Sequence, residues 1–277
     1  MMQLIKDSLV AYVNLDHRND RRQHMLNQFD RFPDIFSYSV RVKGMTPEEW
    51  PYKAYQMKAM LARPQKGAIG CYLSQEKIMK QALQQNKHAF VMEDDLIFCS
   101  DLEKRLEYID NWRCCNLGEK IEIERKWDAV WLGATFHIGK PWWDEKRKPE
   151  EQLGRDAELT DDPRMIRTYG SFCTYAYIVN RNSIQKVLSL LDEFLPQSIG
   201  IDHSMINISQ KLHTFAFVPG CVKQMDNLSD QIPGSGHITE FSRFSKLNGT
   251  EENSAYWYQD RMENFDPEKF DWKEARL

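Results

Sequence analysis

A regular alternation of short apolar runs with amphipathic segments limits what this chain can fold into more than any other feature. Ser8 to Leu15 is brief, apolar and rich in β-forming residues, so it predicts a buried strand. Asn19 to Phe29 predicts a helix: Asn19-Asp20 can cap it, and Met25, Leu26 and Phe29 share one face. Phe36 to Val42 predicts a second strand closed by Lys43-Gly44, and Pro47 to Met60 a helix with its proline early. Gly67-Ala68-Ile69-Gly70 reads as a loop leading into a helix over Cys71 to Gln85. His88 to Met92 and Trp127 to Leu132 are further strands, with a helix over Leu102 to Asn111 between them. Strand and helix in turn imply an α/β fold on a largely parallel sheet.

The pattern breaks over residues 139 to 164, which are charge-dense and without an apolar period, and so predict a long loop or lid. Within it, Trp142-Trp143 can stack on a sugar or simply pack on the body. The alternation then returns as a strand over Phe172 to Val179, a helix over Ser183 to Phe194, a short helix over Ile201 to Ile208 and a strand over Thr214 to Val218. Gln224 to His237 is turn-rich, and the tail after Ser245 mixes aromatics with charges.

Composition removes several classes. The formal net charge is -4 over 277 residues, whereas a chain that wraps nucleic acid needs a basic excess to neutralise phosphates. The six cysteines include no C-x-x-C pair, which disfavours structural zinc and leaves reduced thiols as the expectation. Leu9 to Val13 follows Lys6-Asp7 and ends at Asn14-Leu15-Asp16, so it is a strand and not a signal segment. No apolar run approaches membrane-spanning length. The expected location is cytoplasmic, where the sequons at Asn207, Asn227 and Asn248 carry no meaning. No G-x-G-x-x-G follows the first strand, which argues against a Rossmann dehydrogenase.

Chemistry concentrates in Ala89-Phe-Val-Met-Glu-Asp-Asp95. A buried strand runs into three carboxylates at its C-terminal end, the end where open α/β sheets bind ligands. Three adjacent acids repel one another, and Mn²⁺ or Mg²⁺ would offset them while holding phosphate oxygens. The other reading is a solvated acidic turn. Strand alternation would point Glu93 and Asp95 one way and Asp94 the other.

Other segments extend this picture. Val13-Asn-Leu-Asp-His-Arg-Asn-Asp-Arg-Arg-Gln-His-Met25 resembles the opening of the family 25 glycosyltransferases, which include lipopolysaccharide and collagen galactosyltransferases. Lys66-Gly-Ala-Ile-Gly-Cys-Tyr-Leu-Ser74 is similar to that family's Gly-x-Ile-Gly-Cys-x-x-Ser-His helix start, with Gln75 where the family has His. Trp127 to Gly133, Tyr169 to Val179, Ile201-Asp202 and Gln224 to Asp230 match its later segments in order. Lys43 stands where the family often has an acid before the glycine.

The resemblance implies a GT-A type glycosyltransferase fold, with a Rossmann-like, mostly parallel central sheet flanked by helices. It implies one domain over residues 1–245, with a donor half over about 1–135, an acceptor half over about 165–245, and a packed extension over 246–277. It implies a metal-dependent, inverting transfer of a hexose from a nucleotide diphosphate sugar, a UDP-sugar above all, to a hydroxyl of a glycan, a lipid-linked glycan or another acceptor. Asn14, Leu15, Arg21, Gly67, Ser74, Glu93 and Asp94 are then candidates for donor binding. Arg21 is otherwise a solvated helix face and Ser74 a buried structural hydroxyl. Glu93, Asp95 and His237 are candidate metal ligands, His237 being otherwise a surface residue of a glycine-rich loop.

Inversion needs a base for the acceptor hydroxyl. Asp202 is the candidate, with His203 as the alternative; its other reading is a helix cap. Two competing functions remain at this level. One is the same chemistry on a hydroxymethylated DNA base, which the net charge disfavours. The other is a catalytically silent binding module of the same fold.

Overall fold

The structure is a computed structural model, and it describes residues 2–51, 66–116, 122–135, 157–168, 172–194 and 201–225. In chain order the elements are α1 (Gln3–Lys6), β1 (Ser8–Asn14), α2 (Asn19–Phe29), α3 (Pro33–Phe36), β2 (Val40–Lys43), α4 (Lys66–Gln84), β3 (His88–Met92), β4 (Leu96–Phe98), α5 (Leu102–Arg113), β5 (Cys114–Asn116), β6 (Glu122–Glu124), β7 (Ala129–Thr135), β8 (Ala157–Leu159), β9 (Met165–Thr168), β10 (Phe172–Val179), α6 (Ile184–Phe194), α7 (Ile201–Ser209), β11 (Thr214–Phe217) and β12 (Val222–Gln224). Eight strands form one sheet in the order β2-β1-β3-β10-β7-β11-β9-β8. From the pairings, β2, β1, β3, β7, β11 and β8 run one way, and β10 and β9 run against them.

Strand alternation divides the core into two layers. Leu9 and Ala11 of β1, Ala89 and Val91 of β3, and Tyr177 and Val179 of β10 face α4, α6 and α7. Val10 and Tyr12, Phe90 and Met92, and Ala176 and Ile178 face α1, α2, α3 and α5. Helices on both faces explain why these strands read as unbroken apolar runs. Each fully buried aliphatic or aromatic side chain contributes roughly 1.5–3 kcal/mol by leaving water. Among the described residues no helix is long and apolar enough to cross a membrane.

Four expectations change. Phe36 is not in a strand: Pro33 opens the short α3 at its first turn, and Phe36 stacks on Phe29 and Phe98 at centroid distances of 4.5 and 4.9 Å. Helix α4 begins at Lys66, so Gly67 to Gly70 are helical and not a loop. A Cβ on Gly70 would come within 2.5 Å of the Met45 carbonyl oxygen, so this glycine allows α4 to pack against the chain leaving β2. Of the helix expected over Pro47 to Met60, residues 47–51 are described: Pro47–Glu49 is a single 3-10 turn opened by a capping box between Thr46 and Glu49, Trp50 is extended, and residues 52–60 lie outside the described residues. Within the expected loop over 139 to 164, Ala157–Leu159 pairs with β9. Residues 136–156, including Trp142-Trp143, lie outside the described residues, as do the late Gln224 to Asp230 match beyond Met225, His237 and the 246–277 extension.

Strand β7 continues past Gly133 to Thr135. The missing Cβ at Gly133 leaves room for Val222 of β12, which crosses there. Arg105, fully buried on α5, ion-pairs with Asp101 at 2.7 Å and donates to the carbonyls of Pro219 and Gly220. It thereby fixes the turn that leads into β12.

Candidate active site

The carboxyl ends of β1 and β3 and the start of β10 lie side by side. Glu93, Asp94 and Asp95 follow β3 in a bend, and their environments differ. The Glu93 amide donates to the Tyr175 carbonyl at 2.8 Å, and the Asp95 carbonyl accepts from the Met225 amide at 2.6 Å. These bonds tie the acidic turn to β10 on one side and to the end of β12 on the other.

Asp94 turns to the α2 face. It accepts from Arg21 Nη1 at 2.9 Å and from Asn14 Nδ2 at 2.8 Å. The same guanidinium nitrogen lies 3.4 Å from Asp95 Oδ2. Alternation therefore holds for Glu93 and Asp94, which face opposite ways. It fails for Asp95, because the strand has ended and the bend brings Asp95 within reach of Arg21. Asn14, Arg21, Asp94 and Asp95 are buried, and Glu93 is half-buried.

Glu93 turns to the α4 face, where its hydrogen-bond partners are neutral. Gln75 Nε2 donates to Glu93 Oε1 at 3.1 Å, the Thr174 hydroxyl lies 3.2 Å from the same oxygen, and the Cys71 thiol lies at 3.7 Å. Thr174 Oγ1 is also 2.9 Å from Asp202 Oδ1. Asp202 sits in the first turn of α7, where the helix dipole favours a carboxylate. Burial pushes the Glu93 carboxyl up to about 8, and the nearby Asp95 and Asp202 charges add to the effect. Burial likewise raises the Cys71 thiol well above its ordinary value, so it is not poised as a nucleophile.

Several of the candidate donor-binding residues make internal contacts. Both amide hydrogens of Asn14 are engaged, by Asp94 and by the Arg18 carbonyl, and its oxygen accepts from Arg41. Arg21 is a counter-ion to Asp94 and Asp95 and is buried, so it is not a solvated face. The Ser74 hydroxyl donates to the Gly70 carbonyl at 2.6 Å and accepts from the Met45 amide at 2.8 Å. Leu15 packs against Gly44. Gly67 lies in the first turn of α4, about one turn before Cys71. Asp202 is the second helical residue of α7, one step inside the helix and not at its cap.

The sequence reading missed Thr174, Tyr177 and Cys71 as site residues. Gln75 was visible only as a departure from the family's histidine. Thr174 carries no sequence signal, because a threonine in an apolar β run is ordinary. Among the described residues no three His, Cys, Asp or Glu side chains are grouped so as to hold a metal ion by themselves. Cys71, Cys99 and Cys221 are free thiols.

The strand order, with acids placed beyond the carboxyl ends of parallel strands, defines a GT-A-like α/β fold. The model of glycosyltransferase family 25, described as an LPS biosynthesis protein family, matches residues 10–205, and the chain belongs to that family. It is 28% identical over 141 residues to the probable inactive glycosyltransferase 25 family member 3 of Bos taurus, covering 47% of this chain and 20% of that protein. It is 24% identical over 205 residues to procollagen galactosyltransferase 1 of Danio rerio. It is 26% identical over 205 residues to procollagen galactosyltransferase 1-B of Xenopus laevis. Each of these last two alignments covers 68% of this chain and 30% of the relative. The chain thus spans less than a third of the length of these relatives.

Proposed function

We propose that this chain is an inverting glycosyltransferase that moves a hexose from a UDP-sugar to a hydroxyl of a glycan or other acceptor. The observation that carries the reading is the approach of Glu93 and Asp202, from two separate elements, to one hydroxyl, Thr174 Oγ1, beside Asp95 at the carboxyl end of the sheet in a family 25 chain. Two of the relatives are named as galactosyltransferases, which makes galactose the first sugar to test. Asp202 is the general base in this reading. It takes the proton of the acceptor hydroxyl as that oxygen bonds to the anomeric carbon, and the bond to the diphosphate breaks with its electron pair leaving on phosphate.

The acidic residues fit a divalent cation. Sites that serve diphosphates bind Mg²⁺ or Mn²⁺ through one or two carboxylates together with phosphate and water oxygens, so a closed three-residue cage is not required. Glu93 and Asp95 supply hard oxygen donors, and the raised Glu93 carboxyl marks a group short of positive charge. A cation held there would stabilise the negative charge that develops on the leaving diphosphate. Purified protein should hydrolyse UDP-galactose slowly in Mn²⁺, and Asp95→Ala should abolish this. Unchanged hydrolysis in the variant would remove Asp95 from the mechanism.

A silent binding module is the second reading, favoured by the relative named as probably inactive. It would show a UDP-induced thermal shift in Mn²⁺ without any turnover.

A further inference from the structure

Strand β10 does not run evenly past its neighbour. Phe172 is opposite Thr135, Ala176 opposite Gly133 and Tyr177 opposite Trp131, with register shifts on both sides of Ala176, so β10 takes five steps where β7 takes four. This is a bulge, and bulges re-aim side chains beside active sites. Without it, Thr174 would share the face of Ala176 and Ile178, toward α2 and α5. Instead Tyr175 and Ala176 both pack on that face. Thr174 comes out on the opposite face with Tyr177 and meets Gln75 of α4 and Asp202 of α7.

The hydrogen bonds there form a directed chain. A hydroxyl has one proton to give and lone pairs to accept with. The shorter carboxylate contact of Thr174 is the one to Asp202, at 2.9 Å, and Gln75 Nε2 lies 3.2 Å from the hydroxyl oxygen. The Tyr177 hydroxyl donates to Gln75 Oε1 at 2.8 Å. Gln75 Nε2 faces Glu93 Oε1 at 3.1 Å as well as Thr174, and its Oε1 faces the Tyr177 hydroxyl, so the amide is set with its nitrogen toward Thr174. Thr174, Gln75 and Tyr177 are all fully or almost fully buried, where unmet polar groups are costly and a single arrangement is enforced.

We propose that Thr174 is a positioning residue for glycosyl transfer: its hydroxyl, presented by the β10 bulge and oriented through Gln75 and Tyr177, holds the Asp202 carboxylate in line for the acceptor proton. The inference rests on Asp202 being the general base.

Thr174→Val and Thr174→Ser separate this role from packing. Valine keeps the shape and suits a strand; serine loses a methyl and keeps the hydroxyl. A packing role ranks valine at or above serine, and a positioning role reverses the order. With UDP-galactose and Mn²⁺, kcat in Thr174→Ser should stay within about three-fold of the parent. In Thr174→Val it should fall by about 10- to 100-fold, as small misplacements of catalytic groups do. KM for UDP-galactose and the thermal shift given by UDP should be unchanged in both.

A Thr174→Val kcat equal to or above that of Thr174→Ser overturns the proposal, and so does a loss carried by KM alone. Should Thr174→Val be insoluble, Thr174→Ala takes its place, with kcat as high as in Thr174→Ser as the overturning result. A parent protein that binds UDP yet turns over neither UDP-galactose nor UDP-glucose overturns the glycosyltransferase reading itself, and this inference with it.

Discussion

On the α2 face of the sheet, Arg21 stands between Asp94 and Asp95, and Asn14 donates to Asp94 from below. On the α4 face, Glu93 meets an amide, a hydroxyl and a thiol, none of them charged. The two environments are one residue apart in sequence. The difference teaches where a ligand's charge is needed. Asp94, 2.9 Å from Arg21, already has a counter-charge and holds the acidic turn in place, while Asp95 lies farther from the same nitrogen, at 3.4 Å. Glu93, facing Asp202 across Thr174, is where added positive charge would relieve most repulsion.

Removing the counter-charge from the α2 face is the most damaging change to expect. Arg21→Met should destabilise the fold by about 3–5 kcal/mol, because it strands buried carboxylates. Denaturant unfolding measures this, and a loss under about 1 kcal/mol would show that the α2 face does not depend on the ion pair.

Smaller, and of opposite sign at neutral pH, is the effect of Glu93→Gln. The unfolded chain releases the Glu93 proton near the ordinary 4.5, whereas the folded protein keeps it up to about 8. The folded state therefore binds more protons across that window, and stability from this group is lost as pH rises from about 4.5 to 8. Glu93→Gln should remove that loss, leaving melting temperature at pH 8, in the absence of divalent cations, above that of the parent. His88, at the other end of β3, is lowered to about 4 from 6.5, with burial as the main cause. Its contribution runs the other way, being lost as pH falls from about 6.5 to 4. The variant should then show mainly the acid-side loss. An unaltered pH profile would contradict the environment assigned to Glu93.

The smallest effect separates bracing from binding. Ser74→Ala should cost roughly 1–2 kcal/mol by leaving the Met45 amide without its acceptor. KM for UDP-galactose should not change. A raised KM would return Ser74 to the donor site.

Much of the framework was legible from residue order. The helix over Asn19–Phe29 and the strands over His88–Met92 and Phe172–Val179 have the expected bounds, because strong apolar patterns fill them from end to end. The strands β4, β5, β6, β8, β9 and β12 were not foreseen. They are three or four residues long, too short to show a period. Gly67 to Gly70 read as a loop because glycines usually break helices, whereas at Gly70 the helix needs a close approach to Met45.

Glu93-Asp94-Asp95 was visible in the sequence as a candidate ligand site, although an acidic turn at a strand end explains the tripeptide alone equally well, and the neighbouring family-like segments favoured the site. That the strands and helices alternate, that the sheet is buried on both faces, and that its acids stand at a carboxyl end all follow from local pattern. Which acid carries a counter-charge does not. Arg21 reaches Asp94 across 73 residues, and Thr174 reaches Asp202 only because a bulge set by pairing with β7 turns it to the other face. Register and counter-ions depend on what packs alongside, so only the tertiary structure decided them.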